Sequence, residues 1–162
     1  MIINVIAAVD RNMAIGNDNK LLFWLPNDLK RFKQLITGNT IVMGRKTFDS
    51  LPKGALPNRR NVVLSRSVSS LPGIEVFTDL QSALDSCAVE ENVYIIGGES
   101  VYRQALPLAN RLCLTEIDAA APQADAFFPG VDKNVWAEEW SESHQTDEKH
   151  EHSYRFVDYV RK

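Results

Sequence analysis

Strand-like and helix-like segments alternate along the first two thirds of the chain and then give way to strand-like segments alone. That order restricts the fold more than any other feature. Runs rich in β-branched residues predict strands over Ile2–Val9, Thr40–Met43, Asn61–Ser65, Glu75–Phe77, Asn92–Ile96, Arg111–Ile117 and Tyr154–Val160. Helices are predicted over Pro26–Ile36, Lys46–Leu51, Asp79–Cys87 and Glu99–Leu106. Thr78 followed by Gln81 reads as a capping box for the third, and Pro107 stops the fourth. Asn92–Ile96 is almost continuously apolar, as a strand covered on both faces must be. The expectation is an α/β fold with a mainly parallel central sheet, an antiparallel C-terminal strand and helices on both faces.

A length of 162 residues suits one core, and no repeat, low-complexity stretch or linker divides it, so a single domain over 1–162 is expected. A formal charge of -3 lacks the basic surplus of a nucleic-acid binder. The apolar start is too short to span a membrane and lacks a basic leader, so it reads as a first strand. Cys87 and Cys113 lie in apolar contexts without metal-type spacing, which predicts reduced, buried thiols in a cytoplasmic protein. His144, His150 and His152 sit among acidic residues as solvated side chains, with no zinc pattern around them. No conspicuous apolar helix calls for a partner, so a monomer without nucleic-acid or membrane partners is expected.

The helix opened by Pro26 holds one carboxylate in an unusual place. At about 100° per residue, Leu29, Phe32, Leu35 and Ile36 share a stripe, and Asp28 projects into it, while Lys30, Arg31 and Gln34 point elsewhere. An ionised carboxylate among apolar neighbours costs several kcal/mol, on the order of known burial penalties, unless a partner satisfies it. Two readings fit. Asp28 caps backbone N–H groups in the first turn, or it awaits a ligand whose paired N–H donors meet its two oxygens.

Glycines follow two strands. Ile96-Gly97-Gly98 leads from a buried strand into Glu99-Ser100-Val101-Tyr102, and Met43-Gly44 leads into Arg45-Lys46-Thr47. A third strand ends in Leu64-Ser65-Arg66. Glycine lets backbone approach a ligand closely, and strand ends of parallel sheets are where ligands bind. The alternative is a pair of tight strand-to-helix turns with solvated arginines. The spaced glycine fingerprint of dinucleotide-binding folds and the Walker sequence are both absent. Hydroxyl and guanidinium groups at three strand ends favour a phosphorylated nucleotide.

Taken in order, Ile6-Ala7-Ala8, Ile15-Gly16, Leu25-Pro26-Asn27-Asp28-Leu29, Phe32-Lys33, Met43-Gly44-Arg45-Lys46-Thr47, Asn58-Arg59-Arg60-Asn61, Leu64-Ser65-Arg66, Ile96-Gly97-Gly98, Leu114-Thr115 and His152-Ser153-Tyr154 resemble the successive signatures of bacterial dihydrofolate reductases. The resemblance spans essentially the whole chain. It implies an NADPH-dependent reductase of dihydrofolate. Asp28 is then the carboxylate that holds pterin N3 and the 2-amino group, and Thr115 supports it. Ile6, Ala7, Leu29, Phe32, Leu51, Leu56, Ile96 and Tyr102 border the substrate, and Arg59 holds the carboxylate of its glutamate tail. Ala8 and Ile15 meet the nicotinamide, and Gly16 belongs to the cofactor site. Gly44, Arg45, Lys46, Thr47, Leu64, Ile96, Gly97, Gly98, Glu99, Ser100, Val101 and Tyr102 border the cofactor, with Arg45, Ser65 and Arg66 nearest its 2′-phosphate. The resemblance further implies a cis bond at Gly97–Gly98 and a mobile loop over Asp10–Trp24.

Two departures stand out. Many relatives carry Pro-Trp where this chain has Leu22-Phe23, with a tryptophan one place later at Trp24. The family's tryptophan donates to an active-site water, and Phe23 has no donor. Relatives often place arginine where Ser100 stands, and Arg66 is the nearest candidate to compensate. Two rival readings are a related-fold reductase of another heterocycle and a non-catalytic NADPH-binding regulator. Assaying turnover on both substrates separates the first, and failure to reduce dihydrofolate marks the second.

Overall fold

The computed structural model describes residues 1–18 and 20–162. In chain order the elements are β1 (Ile2–Val9), β2 (Ala14–Gly16), α1 (Pro26–Ile36), β3 (Thr40–Gly44), α2 (Arg45–Asp49), β4 (Arg60–Leu64), β5 (Glu75–Phe77), α3 (Leu80–Asp85), β6 (Asn92–Gly97), α4 (Glu99–Ala105), a 3-10 turn at Leu106–Leu108, β7 (Arg111–Ile117), β8 (Ala126–Phe127), β9 (Trp136–His144) and β10 (Tyr154–Arg161).

The main sheet runs β5-β4-β3-β6-β1-β7-β10-β9. Its strands are parallel from β5 to β7, and β10 and β9 close the far end antiparallel. Successive side chains along a strand face opposite ways, and the apolar runs are divided accordingly. Val5, Val42, Val62, Val93, Ile95, Leu112 and Leu114 pack with α3 and α4. Ile6, Ile41, Met43, Val63, Tyr94 and Cys113 pack with α1 and α2 through Phe32, Leu35, Ile36 and Phe48. Helices therefore cover both faces, which is why the central strand β6 reads as a continuous apolar run.

The antiparallel end has two strands where one was expected. β9 carries no apolar pattern in the sequence because only Trp136 at its start is buried and most of its other residues are exposed. Glu138, Glu139 and Glu142 lie on this edge strand, where charge discourages pairing with another chain. The cap of α3 also differs. Asp79, not Thr78, is the N-cap residue, and its carboxylate accepts from the Ser82 N–H at 2.8 Å. Thr78 instead donates its hydroxyl to Asp79 at 3.2 Å. The Ser82 bonds hold the Asp79 carboxyl below the usual carboxylate range. A group lowered in the folded state stabilises above its unfolded pKa and loses that effect as pH falls. Asp79→Ala should therefore lower the melting temperature at pH 7, with the deficit shrinking towards pH 2 in thermal melts.

α4 ends at Ala105, and Pro107 sits inside the 3-10 turn beyond it, as its missing N–H requires. Both cysteines are free. Cys113 is buried, and burial pushes its thiol up to about 12. Cys87 is only half-buried, contrary to expectation, because α3 stops at Asp85 and leaves it on the turn beyond the helix end. No helix among the described residues is long and apolar enough to cross a membrane.

Candidate functional site

Pro26 occupies the first turn of α1, where its missing N–H is no loss and its fixed φ suits the helix. Asp28 follows in the same turn and is half-buried. Its Oδ1 accepts the hydroxyl of Thr115, a buried residue of β7, at 2.5 Å. The bond goes to a strand across the site, not to the N–H groups of its own helix, so the capping reading falls away. Burial pushes the Asp28 carboxyl up, while the Thr115 hydroxyl and the Arg31 guanidinium pull it part of the way back.

Arg31, which points away from the apolar stripe of α1, is held by the late strands. Its Nη2 donates to Asp158 at 2.7 Å, and its guanidinium lies 4.9 Å from the ring centroid of Phe156 and 5.5 Å from that of Trp140. No local pattern announces this, because Trp140, Phe156 and Asp158 reach it through the late antiparallel strands.

Apolar walls flank the carboxylate. Ile6, Phe32, Leu51, Leu56 and Ile96 belong to one packed group on the α1 side of the sheet. Ala8 packs with Phe23, Leu25, Tyr154 and Phe156. Ala7 and Ile15 belong to the group on the opposite face. Leu29, next to Asp28, is half-buried. Arg59 donates from Nη2 to Thr37 at 2.7 Å, but its buried Nε has no partner. Burial holds its guanidinium below the usual range. A covered N–H of that kind favours an incoming acceptor.

The glycine junctions lie side by side, since Met43 pairs with Gly97 across β3 and β6. The Gly97–Gly98 peptide is cis, as the resemblance implied. A Cβ on Gly97 would stand 3.3 Å from the Tyr102 hydroxyl and 3.4 Å from Thr47 Oγ1, and one on Gly44 would stand 3.2 Å from Val101. The junction is packed so tightly that at Gly44 and Gly97 a side chain would press on its neighbours. Tyr102 fixes the junction to β1 by donating to the Ile6 carbonyl at 2.7 Å, and burial pushes its phenol up, keeping it a neutral donor.

Ser65 and Arg66 border a cavity of about 220 Å³ with Ser67, Ser69 and Thr78. Ser65 accepts from the Val68 N–H at 3.2 Å, which holds the strand end in a turn around the hydroxyl. Arg66 is exposed on that rim. Arg45 is held to Asp49 through Nε at 2.9 Å. Lys46 is exposed on α2, and Leu64 is half-buried. Glu99 already accepts from the Phe127 N–H at 2.7 Å and pairs with Arg103, so it fastens α4 to β8. Ser100 accepts from Gln104 at 3.2 Å on the exposed face of α4.

The segment Asp10–Trp24 joins β1 to α1, with Asn19 outside the described residues. The buried Asp10 accepts from the N–H groups of Asn12, Ala14 and Ala121. Gly16 lies in β2, whose antiparallel pairing with β8 ties the same segment down. Trp24 is 72% exposed, so its indole does not replace the donor missing at Phe23. Phe23 itself turns edge-on to His152 at 5.2 Å.

The glycine junctions and the hydroxyl- and arginine-bordered cavity thus lie at the carboxyl ends of the neighbouring parallel strands β3, β4 and β6, while Asp28 of α1 is bound to β7. The sequence profile described as Dihydrofolate reductase matches residues 2–161. The chain is 41% identical to the dihydrofolate reductase of Neisseria meningitidis serogroup A over 98% of each chain. It is 40% identical to that of Bacillus subtilis over 99% of this chain and 95% of the relative. Among solved structures, the dihydrofolate reductase of Enterococcus faecalis, complexed with NADP(H) and RAB-propyl, superposes with a TM-score of 0.91 at 32% identity, covering 99% of this chain and 96% of that one.

Proposed function

The chain belongs to the dihydrofolate reductase family, and from that premise we propose how its residues reduce 7,8-dihydrofolate to tetrahydrofolate for one-carbon metabolism. The observation that carries the reading is the Asp28–Thr115 pair, a half-buried carboxyl raised by desolvation and fixed to β7. Its two oxygens match the adjacent N–H donors at N3 and the 2-amino group of a pterin. Thr115 spends its proton on Oδ1 and so fixes the plane in which Asp28 meets the ring. Ile6, Ala7, Leu29, Phe32, Leu51, Leu56, Ile96 and Tyr102 would enclose that ring. Arg59, with its unpartnered Nε, would take the carboxylate of the substrate's tail.

The side-chain-free backbone at Gly44, Gly97 and Gly98 and the hydroxyl- and arginine-lined cavity fit NADPH. When bound, this cofactor supplies the hydride that reaches C6 of the dihydropterin. Ala8, Ile15 and Gly16 would flank its nicotinamide. Arg45, Lys46, Thr47, Leu64, Ser65 and Arg66 would hold its phosphates and ribose, with Glu99, Ser100, Val101 and Tyr102 bordering the junction. Much of the acceleration comes from holding two flat rings together where water is excluded. Asp28 orients the ring and supplies negative charge, and solvent water delivers the proton to N5.

We read 1–162 as one domain that works as a monomer, and place it in the cytoplasm, the compartment that its two free thiols suit. Spectrophotometric oxidation of NADPH by dihydrofolate tests the activity, and absence of turnover overturns it. Charge at the 2′-phosphate gives a sharper expectation. Arg45→Ala and Arg66→Ala should each weaken NADPH about tenfold or more, the scale of a lost charge-assisted contact, and leave NADH nearly unchanged. Equal losses for the two cofactors would remove these arginines from the phosphate site.

A further inference from the structure

α1 carries the pterin-binding carboxylate, yet its N-terminus has no cap of its own. Leu25 at the N-cap offers no side-chain acceptor, and Pro26 brings no N–H. The next backbone donor is Asn27, and it is met from the other end of the chain. Its N–H donates to Nε2 of His150 at 3.2 Å across 123 positions of sequence. His150, expected in solvent from the sequence, is instead 2% exposed, because the loop joining β9 to β10 folds it against Tyr154 and α1. Only an unprotonated Nε2 accepts an amide proton, so the ring proton sits on Nδ1. That proton faces Asp147 Oδ1 at 2.8 Å. The carboxylate selects the tautomer, and the tautomer aims a lone pair at the helix.

A second contact fixes the same residue. The Asn27 side-chain amide donates to the Tyr154 hydroxyl at 2.7 Å, and the Tyr154 ring packs 5.1 Å from that of His150. Tyr154 opens β10, which is laddered to β7 so that Tyr154 pairs with Ile117 and Phe156 with Thr115. One hairpin therefore grips Asn27, immediately before Asp28, and runs alongside the strand that presents Thr115.

We propose that His150 is a positioning residue for catalysis: as a tertiary N-cap of α1 it holds Asp28 at the distance and angle at which Thr115 and the pterin meet it. His150 touches neither substrate nor cofactor and acts through Asn27. The proposal rests on the assignment of Asp28 as the pterin-binding group. Nothing in the sequence around His150 reveals this role, because the cap and the helix are adjacent only after β9 and β10 have paired.

Two substitutions separate acceptor from ring. His150→Phe keeps an aromatic ring against Tyr154 but has no acceptor, whereas His150→Gln loses the ring and keeps a carbonyl oxygen near the place of Nε2. If the cap positions Asp28, His150→Phe lowers kcat/KM for dihydrofolate about fivefold, the scale of a lost N-cap. NADPH affinity, read by quenching of tryptophan fluorescence, stays within twofold, and His150→Gln recovers most of the substrate efficiency. Asp147→Ala, at an exposed position that should not disturb folding, shifts dihydrofolate kcat/KM the same way by a smaller factor, again sparing NADPH. The proposal is overturned if His150→Phe matches the unmodified enzyme while His150→Gln does not. Equal losses for substrate and cofactor in both variants, or no effect of Asp147→Ala alongside an unstable His150→Phe, overturn it too. Asp28→Asn in the same assays keeps the two readings apart. If it removes turnover while the His150 variants behave in one of those ways, the cap fails and the pterin site stands.

Discussion

Asp28→Asn should lower dihydrofolate turnover at pH 7 by about a hundredfold or more, while making the ligand-free protein more resistant to heat. The first effect follows from the role proposed for Asp28, whose charge would orient and polarise the pterin, within the range by which positioned acid-base groups alter rates. The second follows from burial. The folded state raises the Asp28 carboxyl above its ordinary value, desolvation outweighing the Thr115 hydroxyl and Arg31. A group raised in the folded state stabilises below its unfolded pKa and loses that contribution as pH rises through the folded value. At pH 7 the ionised carboxylate is thus a burden that a ligand offsets. Asparagine carries no charge and still offers an oxygen to Thr115, so the variant should melt higher at pH 7. Its advantage should fade as pH falls below the carboxylate range. Near-normal turnover would remove Asp28 from the pterin site, and a lower melting temperature at pH 7 would refute the electrostatic account.

Gly97→Ala should destabilise the protein by about 2–3 kcal/mol, the cost of forcing a side chain into a sparsely populated backbone region. For a chain of this length that corresponds to a drop of roughly 5–10 °C. Gly97 sits at φ +124°, and the added Cβ would approach the Tyr102 hydroxyl and Thr47. Displacing Tyr102 loosens its bond to the Ile6 carbonyl, so NADPH affinity should fall together with the melting temperature. Gly98→Ala is the internal comparison. Gly98 has φ −89°, and its Cβ would meet Thr47 at 3.5 Å, an ordinary contact. Its melting temperature should change much less. Matching melting curves for the two variants would show that backbone conformation at Gly97 is not what the sequence protects.

Periodicity decided much of the fold before any contact was known. The apolar alternation of β1, β3, β4, β6 and β7 places successive side chains in the two packed groups on either sheet face. The stripe of α1 likewise brings Phe32, Leu35 and Ile36 onto the sheet. These patterns are local, repeat at the spacing of the element itself and need no partner to be read. β9 was hidden for the same reason in reverse, since an edge strand in water has little apolar pattern to show. Thr78 and Asp79 offered two adjacent side chains able to cap α3, and only backbone geometry chose between them.

The site divides along the same line. The sequence by itself determined that Asp28 stands on the apolar side of a helix and that glycines follow two strand ends. Its ordered match to a known family supplied the roles. Tertiary structure decided that Asp28 meets Thr115 across 87 positions, that Arg31 lies over Phe156, and that His150 caps the helix from the last loop. Hydrogen bonds and ion pairs of that kind depend on angles and distances between elements far apart in the chain. No local spacing encodes them until the sheet has brought its strands into register.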